Sequence, residues 1–221
     1  MNPLVKICGL STPETLDVAL DAGADMVGFM FFPPSPRNVS FHAARELGAR
    51  VNGRAQKVAV TVDADDATLT NIVDVLQPGL LQLHGKETPA RVAVIRRRFG
   101  LPVMKVLAIE TAADLGAIPL YANIADRLLF DARAPREATR PGGLGKPFDW
   151  HLLDGLDPSI PFMLSGGLDA ANVAQALRVT RAPGVDVSSG VESAPGVKDP
   201  EKIRAFIRAV RASLGAGISV G

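Results

Sequence analysis

The stretch Pro161-Phe-Met-Leu-Ser-Gly-Gly-Leu168 decides the fold, because a short apolar strand runs directly into a glycine pair. A second short apolar strand that runs into a glycine-containing turn occurs in Val185-Asp-Val-Ser-Ser-Gly-Val-Glu192. The first strand of the chain, in contrast, is followed only by Gly9-Leu-Ser. A doubly wound dinucleotide-binding sheet carries its glycine-rich turn after the first strand. A (β/α)8 barrel binds phosphate on the loops after its last strands. The glycines therefore favour a barrel, with the open sheet as the runner-up.

Outward from these strands, β-rich apolar runs alternate with helical patterns about eight times along the chain. The predicted strands are Leu4–Cys8, Met26–Phe32, Lys57–Val62, Gly79–His84, Pro102–Leu107, Arg127–Asp131, Pro161–Ser165 and Val185–Ser188. The predicted helices are Thr12–Asp21, Phe41–Val51, Asp65–Leu76, Glu87–Phe99, Ala170–Arg178 and Asp199–Leu214, with short ones near Thr111–Gly116 and Phe148–Asp154. Strict alternation indicates parallel strands joined by crossover helices. We expect one (β/α)8 barrel domain over residues 1–221, with 215–221 as a flexible tail.

The composition narrows the class of protein. The 221 residues are 47% hydrophobic and carry a net charge of +1, with 24 Lys and Arg against 23 Asp and Glu. This balance gives no support for a nucleic-acid or membrane-surface partner. Cys8 is the only cysteine, which excludes a disulfide within the chain and disfavours a cysteine metal site. Because no signal peptide or membrane span is recognisable, we expect a cytoplasmic protein.

Polar side chains that point into the barrel are the strongest sign of a function. Side chains of a barrel strand alternate between the interior and the helix layer, so β-branched Val5 and Ile7 place Lys6 and Cys8 inward. The same alternation predicts these inward residues: Asp186 and Ser188 on strand eight, Gln82 and His84 on strand four, Asp131 on strand six and Lys105 on strand five. Lys6 and Asp186 are expected to pair, either as a structural ion pair or in support of the site.

The rim of the barrel supplies the candidate site residues. Cys8 and Asp131 end their strands where barrel active sites are built, which makes them the catalytic candidates. His84 is a candidate substrate contact, and a packed, hydrogen-bonded histidine is the alternative. Trp150 is interpreted as helix packing.

Glycine-rich turns predict where a phosphate group binds. Glycine lets the backbone approach a ligand, and a helix N-terminus offers free N–H donors. The candidates are Gly166 and Gly167 after strand seven and Ser188, Ser189 and Gly190 after strand eight. The segment Pro141–Gly145 adds Gly143 and Gly145 as parts of a loop that closes over the ligand, with a solvated turn as the alternative.

Five motifs occur in a fixed order along most of the chain, from Val5 to about Arg211. They are Lys6-Ile-Cys-Gly-Leu10, Gly28-Phe-Met-Phe-Phe followed by Ser35-Pro-Arg37, Leu81-Gln-Leu-His-Gly85, Phe130-Asp-Ala132 and Gly184-Val-Asp-Val-Ser-Ser-Gly-Val-Glu192. Together they resemble the phosphoribosylanthranilate isomerases of tryptophan biosynthesis. Leu144 and Ser165 depart from the family pattern, where a small polar residue and an alanine are usual.

The resemblance implies an Amadori rearrangement, the third step from chorismate to tryptophan. N-(5-phosphoribosyl)anthranilate becomes 1-(o-carboxyphenylamino)-1-deoxyribulose 5-phosphate, without a metal or a redox cofactor. It implies Cys8 as general base, Asp131 as general acid and Arg37 as the group that recognises the anthranilate carboxylate. Lys6 is expected to help Cys8 ionise, with Asp186 in support. The implied partner is a phosphorylated small molecule, and the protein is expected to be a monomer or a homodimer.

The sequence leaves four other functional hypotheses open. A pentulose-phosphate epimerase needs metal-binding histidines at several strand ends, and of the three histidines only His84 is well placed. An aldolase needs a Schiff-base lysine at an upper strand end, where Lys6 lies too deep and Lys105 is the other candidate. A non-catalytic phosphosugar-binding barrel explains the glycine turns but not Cys8 and Asp131 together. The related histidine-pathway isomerase usually has an aspartate in place of Cys8.

Overall fold

Eight parallel strands close into a barrel in the computed structural model, which describes residues 2–133 and 147–213. The barrel strands are β1 (Leu4–Cys8), β2 (Met26–Phe31), β3 (Gln56–Thr61), β4 (Leu80–Leu83), β5 (Val103–Ile109), β6 (Arg127–Ala132), β7 (Phe162–Leu164) and β8 (Gly184–Val187). The ring is closed by β1, in which Lys6 lies opposite Met26 of β2 and opposite Asp186 of β8. This closure confirms the predicted barrel and excludes the open sheet.

Helices cover the outside of the barrel. They are α1 (Pro13–Asp21), α2 (Phe41–Val51), α3 (Asp66–Leu76), α4 (Pro89–Phe99), α5 (Ile118–Tyr121), α6 (Val173–Thr180) and α7 (Pro200–Ala212). Short 3-10 helices lie at Ala112–Ala117, Trp150–Leu153 and Ser189–Val191. The regions near residues 111–116 and 148–154, where only short helices were predicted, therefore form only short helical turns.

Two of the long helices, α4 and α6, begin two or three residues later than the sequence predicts, because side chains before their starts bond to the backbone N–H groups. The Asp169 carboxylate accepts hydrogen bonds from the N–H groups of Ala171 and Asn172, so α6 begins at Val173 and not at residue 170. The Thr88 hydroxyl caps α4, which begins two residues later than expected. Asx and Ser/Thr bonds of this kind compete with helix formation, which moves the boundary.

Side chains of the barrel strands divide into an interior cluster and an outer cluster. The interior cluster contains Cys8, Met26, Val58, Val60, Leu80, Met104, Val106, Leu129 and Met163. Val5 and Ile7 belong instead to the outer cluster between sheet and helices, as do Leu128 and Phe130. The predicted alternation on strands one and six is thereby confirmed.

Lys105 does not point into the barrel, and the inward prediction for it is wrong. Its neighbours Met104 and Val106 belong to the interior cluster, so the alternation along β5 turns Lys105 toward the helix layer. There its Nζ lies 2.8 Å from Glu87 Oε2 and 2.7 Å from the Gly85 carbonyl oxygen. Lys105 therefore forms a buried structural ion pair with Glu87. The hypothesis of a Schiff-base aldolase is left without a candidate lysine at an upper strand end.

A small antiparallel ribbon lies between β8 and α7, and the sequence analysis did not anticipate it. Its strands are β9 (Glu192–Ala194) and β10 (Val197–Lys198), which pair with each other outside the barrel sheet. The inner ends of both strands carry a buried charge, because Glu192 and Lys198 are 8% and 6% exposed. The ribbon therefore brings charged groups to the barrel mouth.

Some predictions concern residues outside the described part of the chain. Gly143, Gly145 and Leu144 of the loop after β6 lie there, as does the segment 215–221. In the part that the structure does describe, no helix combines the length and the apolar character needed to cross a bilayer.

Candidate active site

The carboxyl-terminal mouth of the barrel holds both residues that the sequence analysis selected as acid and base. Cys8 is the last residue of β1 and Asp131 lies near the end of β6. Both are buried, at 5% and 4% exposed, although one is a thiol and the other a carboxylate. Asp131 follows outward-facing Phe130, which turns it toward the barrel interior. The mouth thus presents the two candidate proton-transfer groups, a thiol and a carboxyl group, from strands on different sides of the ring.

Beneath Cys8, the barrel contains a fully buried ion pair. Lys6 is 0% exposed, and its Nζ lies 2.8 Å from Asp186 Oδ1. The hydroxyl of Ser165 reaches the other oxygen of Asp186, at 3.5 Å. The predicted pairing of Lys6 with Asp186 is therefore present, and both oxygens of the Asp186 carboxylate have a donor.

Gly28 of β2 leaves the space in which Lys6 and Cys8 meet. A Cβ added at Gly28 would lie 3.0 Å from the Cys8 Sγ and 3.1 Å from the Lys6 Nζ. Both distances are shorter than ordinary contacts between such atoms. A side chain at this position would push against the thiol and the ammonium group together, so both would have to shift by a few tenths of an ångström.

Burial governs the protonation of the thiol. It raises the pKa of Cys8 above its ordinary value, and the negative charge of Asp186 adds to this effect while Lys6 and Lys198 oppose it. Burial also lowers the pKa of Lys6, but Asp186 and Cys8 outweigh that and the net pKa is raised. Both pKa shifts favour the protonated forms, a charged lysine and a neutral thiol.

On the other side of the mouth, His84 approaches Asp131. The His84 Nε2 lies 3.3 Å from Asp131 Oδ2, but the two groups are not aligned as a hydrogen bond. The other ring nitrogen, Nδ1, lies 3.3 Å from the side-chain nitrogen of Gln82. Gln82 is 0% exposed, and its Oε1 has no hydrogen-bond partner among the described residues. Gln82 and His84 were both expected to point inward, and they meet beside the candidate acid.

Arg37 is placed beside the end of β1 but is already bound to a carboxylate of the protein. Its aliphatic stem packs on Gly9, where an added Cβ would lie 2.6 Å from Arg37 Cδ. The Nε and Nη2 atoms donate to Glu192 at 2.6 and 2.7 Å, a two-point ion pair that is almost fully buried. Nη1 has no acceptor among residues 2–133 and 147–213. One edge of the guanidinium is thus used by the fold, and the other edge faces no carboxylate.

Glu192 is also bound by Lys198, which completes a charged triad that the sequence analysis missed. The Lys198 Nζ lies 2.7 Å from Glu192 Oε1 and 2.9 Å from the Ser188 carbonyl oxygen. Burial raises the pKa of the Glu192 carboxyl, but Arg37 and Lys198 outweigh this effect and hold it below its ordinary value. Burial lowers the pKa of Lys198, although Glu192 opposes it. The triad links Arg37 to the loop after β8.

The two glycine turns after β7 and β8 lie against one another. Gly166 and Gly167 have φ angles of +89° and +66°, a left-handed conformation that favours glycine. A Cβ at Gly190 would clash with the Leu168 carbonyl group, so the second turn packs directly on the first. Ser188 fixes the second turn, because its Oγ donates to the Cys8 carbonyl oxygen at 3.1 Å. The candidate phosphate residues after both strands are therefore brought together.

Two remaining predictions can be placed in the structure. Trp150 packs against the outer cluster, as its interpretation as a helix-packing residue requires. Among the residues that the structure describes, no group of three or more His, Cys, Asp or Glu side chains is placed to hold a metal ion. Glu192 and Lys198 escaped the sequence analysis because they belong to the unexpected ribbon, and their only local signal was a pair of opposite charges around Pro195-Gly196.

A closed barrel with a buried thiol, a buried carboxylate and adjoining glycine turns at its carboxyl-terminal mouth defines a class, the (β/α)8-barrel enzymes. Residues 5–209 match the family model described as N-(5'-phosphoribosyl)anthranilate (PRA) isomerase. The chain belongs to this family. It is accordingly an isomerase of the intramolecular, Amadori type, and its role lies in tryptophan biosynthesis.

Individual relatives agree with the family assignment. The N-(5'-phosphoribosyl)anthranilate isomerase of Bradyrhizobium diazoefficiens is 69% identical over 216 residues, which are 98% of this chain and 97% of that protein. The isomerase of the same name from Nitrobacter hamburgensis is 69% identical over 213 residues, 96% of this chain and 95% of that protein.

Solved structures share the fold over nearly their full length. The crystal structure of phosphoribosyl anthranilate isomerase from Thermotoga maritima has a TM-score of 0.86 and 34% identity, covering 95% of this chain and 99% of that one. Another crystal structure of this isomerase is a complex with reduced 1-(o-carboxyphenylamino)-1-deoxyribulose 5-phosphate. It has a TM-score of 0.83 and 31% identity, with the same coverage of both chains.

Proposed function

We propose that this protein converts N-(5-phosphoribosyl)anthranilate to 1-(o-carboxyphenylamino)-1-deoxyribulose 5-phosphate, with Asp131 as general acid and Cys8 as general base. In this proposal the reaction is the third step from chorismate to tryptophan. The observation that carries it is the burial of a thiol and a carboxyl group at one barrel mouth, in a chain of this family. The chemistry needs one proton delivered and one removed, and each group suits one of these tasks.

The first task is opening of the sugar ring. Asp131 in its protonated form delivers a proton to the furanose oxygen, the bond between that oxygen and C1 breaks, and a protonated Schiff base forms at C1. The positive nitrogen then acidifies the proton on C2. Asp131 is suited to this step because its carboxyl group lies at the barrel mouth, is only 4% exposed, and has His84 Nε2 3.3 Å from its Oδ2.

The second task is removal of the C2 proton by Cys8 in its thiolate form. The electron pair of the C2–H bond forms a C1–C2 double bond, the nitrogen becomes neutral, and the enolamine tautomerises to the ketone. Burial raises the pKa of the thiol in the free protein, so ionisation needs further positive charge. The Schiff base supplies that charge after ring opening, and Lys6 beneath the thiol adds to it.

Substrate recognition divides between the two ends of the molecule. We propose that the anthranilate carboxylate binds the Nη1 edge of Arg37, because Glu192 occupies the opposite edge and fixes the plane of the guanidinium. The phosphate binds the joined turns around Gly166, Gly167 and Ser188, with Ser189 and Gly190 completing the second turn. The expectation of a monomer or a homodimer stays a prediction.

A fluorescence assay tests the proposed reaction. Freshly made phosphoribosylanthranilate loses its anthranilate-type fluorescence as it is consumed, and wild type, Cys8→Ala and Asp131→Asn are compared. Wild type is expected to turn over rapidly, and each variant to lose about 10²- to 10⁴-fold in kcat, the usual contribution of a general acid or base. Met163→Leu serves as the matched control, because it changes a packed residue of the same interior cluster while leaving both the thiol and the carboxyl group in place.

The outcomes separate the proposal from its alternatives. A folded wild type without turnover contradicts the proposed reaction. Full activity in either variant removes the corresponding residue from its role. Loss of activity in Met163→Leu of the same size as in the variants would show that the assay reports packing rather than proton transfer.

A further inference from the structure

Buried polar atoms without partners gather on the Asp131 side of the barrel mouth. Three side-chain atoms in the described part of the chain are buried and lack a hydrogen-bond partner, and two of them are Gln82 Oε1 and His84 Nε2. A buried polar atom without a partner costs free energy. His84 Nε2 lies 3.3 Å from Asp131 Oδ2 and Gln82 contacts the other ring nitrogen of His84, so the arrangement points to support of Asp131 more than to the stability of the fold.

The contact between Gln82 and His84 determines which ring nitrogen carries the proton. The Gln82 side-chain nitrogen faces His84 Nδ1 at 3.3 Å, and an amide N–H group only donates. Nδ1 therefore accepts, and in a neutral imidazole the proton then lies on Nε2. This is the nitrogen that lies 3.3 Å from Asp131 Oδ2.

We propose that Gln82 and His84 are positioning residues that orient the acidic proton of Asp131. Gln82 holds the tautomer of His84, and the His84 Nε2–H group donates to Oδ2 of Asp131. The acidic proton of Asp131 is then confined to Oδ1. The same donor stabilises the carboxylate that remains once that proton has passed to the substrate. The proposal rests on the proposed role of Asp131 as general acid.

The alignment in the ligand-free protein fits such a role. The Nε2 and Oδ2 atoms are close but poorly aligned, and catalytic hydrogen bonds are often loose before substrate binds and tighten in the complex. The imidazole is only 12% exposed, with each nitrogen facing a protein group, which leaves little of it for a direct substrate contact. This revises the expectation that His84 binds substrate.

Other charged groups near His84 are occupied elsewhere. On the adjacent strand, Lys105 lies on the outer side of β5 and is paired with Glu87 at 2.8 Å. The His84 backbone N–H donates to the Thr61 carbonyl oxygen of β3, which fixes the start of the loop but brings no charge. Within the described residues, Asp131 is the only carboxylate within 4 Å of a ring nitrogen of His84.

The test compares two amides that imitate different ring nitrogens. In His84→Gln the side-chain nitrogen reaches the position of Nε2, whereas in His84→Asn it reaches only the position of Nδ1. We expect His84→Gln to keep kcat within a few-fold and His84→Asn to lose about 10- to 100-fold in kcat, with KM unchanged in both, since the acid is retained but misoriented. His42→Gln is the control, because that histidine is 83% exposed on α2.

A second measurement does not depend on turnover. Nitrogen NMR of the imidazoles reports the tautomer, and comparison with His84→Gln identifies the His84 signals among the three histidines. Wild type is expected to show a protonated Nε2 and an unprotonated Nδ1. Gln82→Met is expected to lose this preference and to lower kcat as His84→Asn does.

Each contrary result overturns the proposal. A rise in KM with kcat unchanged makes His84 a substrate contact, and equal kcat values in wild type and His84→Asn make it a packing residue. A protonated Nδ1 in wild type contradicts the assigned tautomer even if the variants fail to fold. An inactive wild type contradicts the proposed reaction, whereas the tautomer measurement still decides whether Gln82 holds His84 as described.

Discussion

The two sides of the barrel mouth differ in how completely their polar groups are paired. On the side of β1 and β8, Lys6 and Ser165 supply donors to both oxygens of Asp186, beneath Cys8. On the side of β4 and β6, Gln82 and His84 each leave a buried atom without a partner. Cys8, the proposed base, thus lies above a fully paired network, whereas Asp131, the proposed acid, lies beside side chains that keep unpartnered polar atoms.

This difference predicts which substitutions reduce the stability of the fold and which reduce catalysis. A completed buried ion pair is costly to break, because removal of one partner leaves an uncompensated charge. A polar group that already lacks a partner costs little to replace by an apolar one of similar size. Substitutions in the ion pair on the β1 and β8 side are therefore expected to reduce stability more than catalysis. Substitutions of Gln82 and His84 on the β4 and β6 side are expected to reduce catalysis more than stability.

The largest expected effect is the loss of stability in Lys6→Met. This change leaves the Asp186 carboxylate buried without its ammonium partner, and we expect the free energy of unfolding to fall by about 3–5 kcal/mol. Urea denaturation compares the variant with wild type. The double variant Lys6→Met/Asp186→Leu removes both charges and is expected to recover most of the loss.

The matched substitution on the other side of the mouth is Gln82→Met. It replaces a side chain of similar volume that has one long hydrogen bond and one unpartnered oxygen, so we expect a change of less than about 1 kcal/mol. The same urea measurement applies. A larger loss in Gln82→Met than in Lys6→Met would reverse the comparison between the two sides.

An effect smaller than that of Lys6→Met is expected from Gly28→Ala, which disturbs the proposed base without removing it. The added methyl group lies 3.0 Å from the Cys8 sulfur and 3.1 Å from the Lys6 Nζ, so both must shift by a few tenths of an ångström. We expect kcat to fall by about 10- to 100-fold with little change in KM, because a small displacement of a reacting group is costly. Steady-state kinetics measures both constants.

Gly53→Ala provides a reference for Gly28→Ala, since a Cβ at Gly53 meets no atom within 4 Å. Its φ angle of +75° adds backbone strain, so the reference reports strain without crowding. Wild-type kcat in Gly28→Ala would show that the thiol does not depend on the space beside it.

The smallest expected effect is a shift in the pH at which the Cys8 thiol loses its proton, relative to the denatured chain. Because burial raises the pKa of Cys8, the folded protein keeps the thiol protonated at a pH where the unfolded chain has lost the proton. The resulting contribution to stability is complete below the ordinary thiol pKa of about 8.5 and is lost as the pH rises through the folded value. The thiolate absorbance of wild type, after subtraction of that of Cys8→Ser, gives the titration midpoint.

We expect that midpoint to lie above the value for the denatured chain, and to move higher in Lys6→Met because a nearby positive charge is removed. A midpoint below that of the denatured chain would mean that Lys6 and Lys198 outweigh burial. The base side would then hold a thiolate before substrate binds.

The alternation of apolar residues along the chain was sufficient to predict the barrel and the direction of most strand side chains. Alternating apolar residues on β1 and β6 indicate which face of each strand packs under the helices, since that face must be apolar along its whole length. This placed Cys8, Asp131 and the Lys6–Asp186 pair correctly. It failed for Lys105, because apolar residues lie on both faces of β5, with Met104 and Val106 inside the barrel and Val103 and Leu107 outside it.

Only the tertiary structure decided which charged and polar groups meet. Arg37 and Glu192 are 155 residues apart, and nothing local to either residue predicts that a short ribbon brings them together. His84 reaches Asp131 across β5, because closure of the barrel brings the inner faces of strands that are not neighbours within reach. Periodicity fixes the face on which a side chain lies, whereas its partner depends on the three-dimensional course of the whole chain.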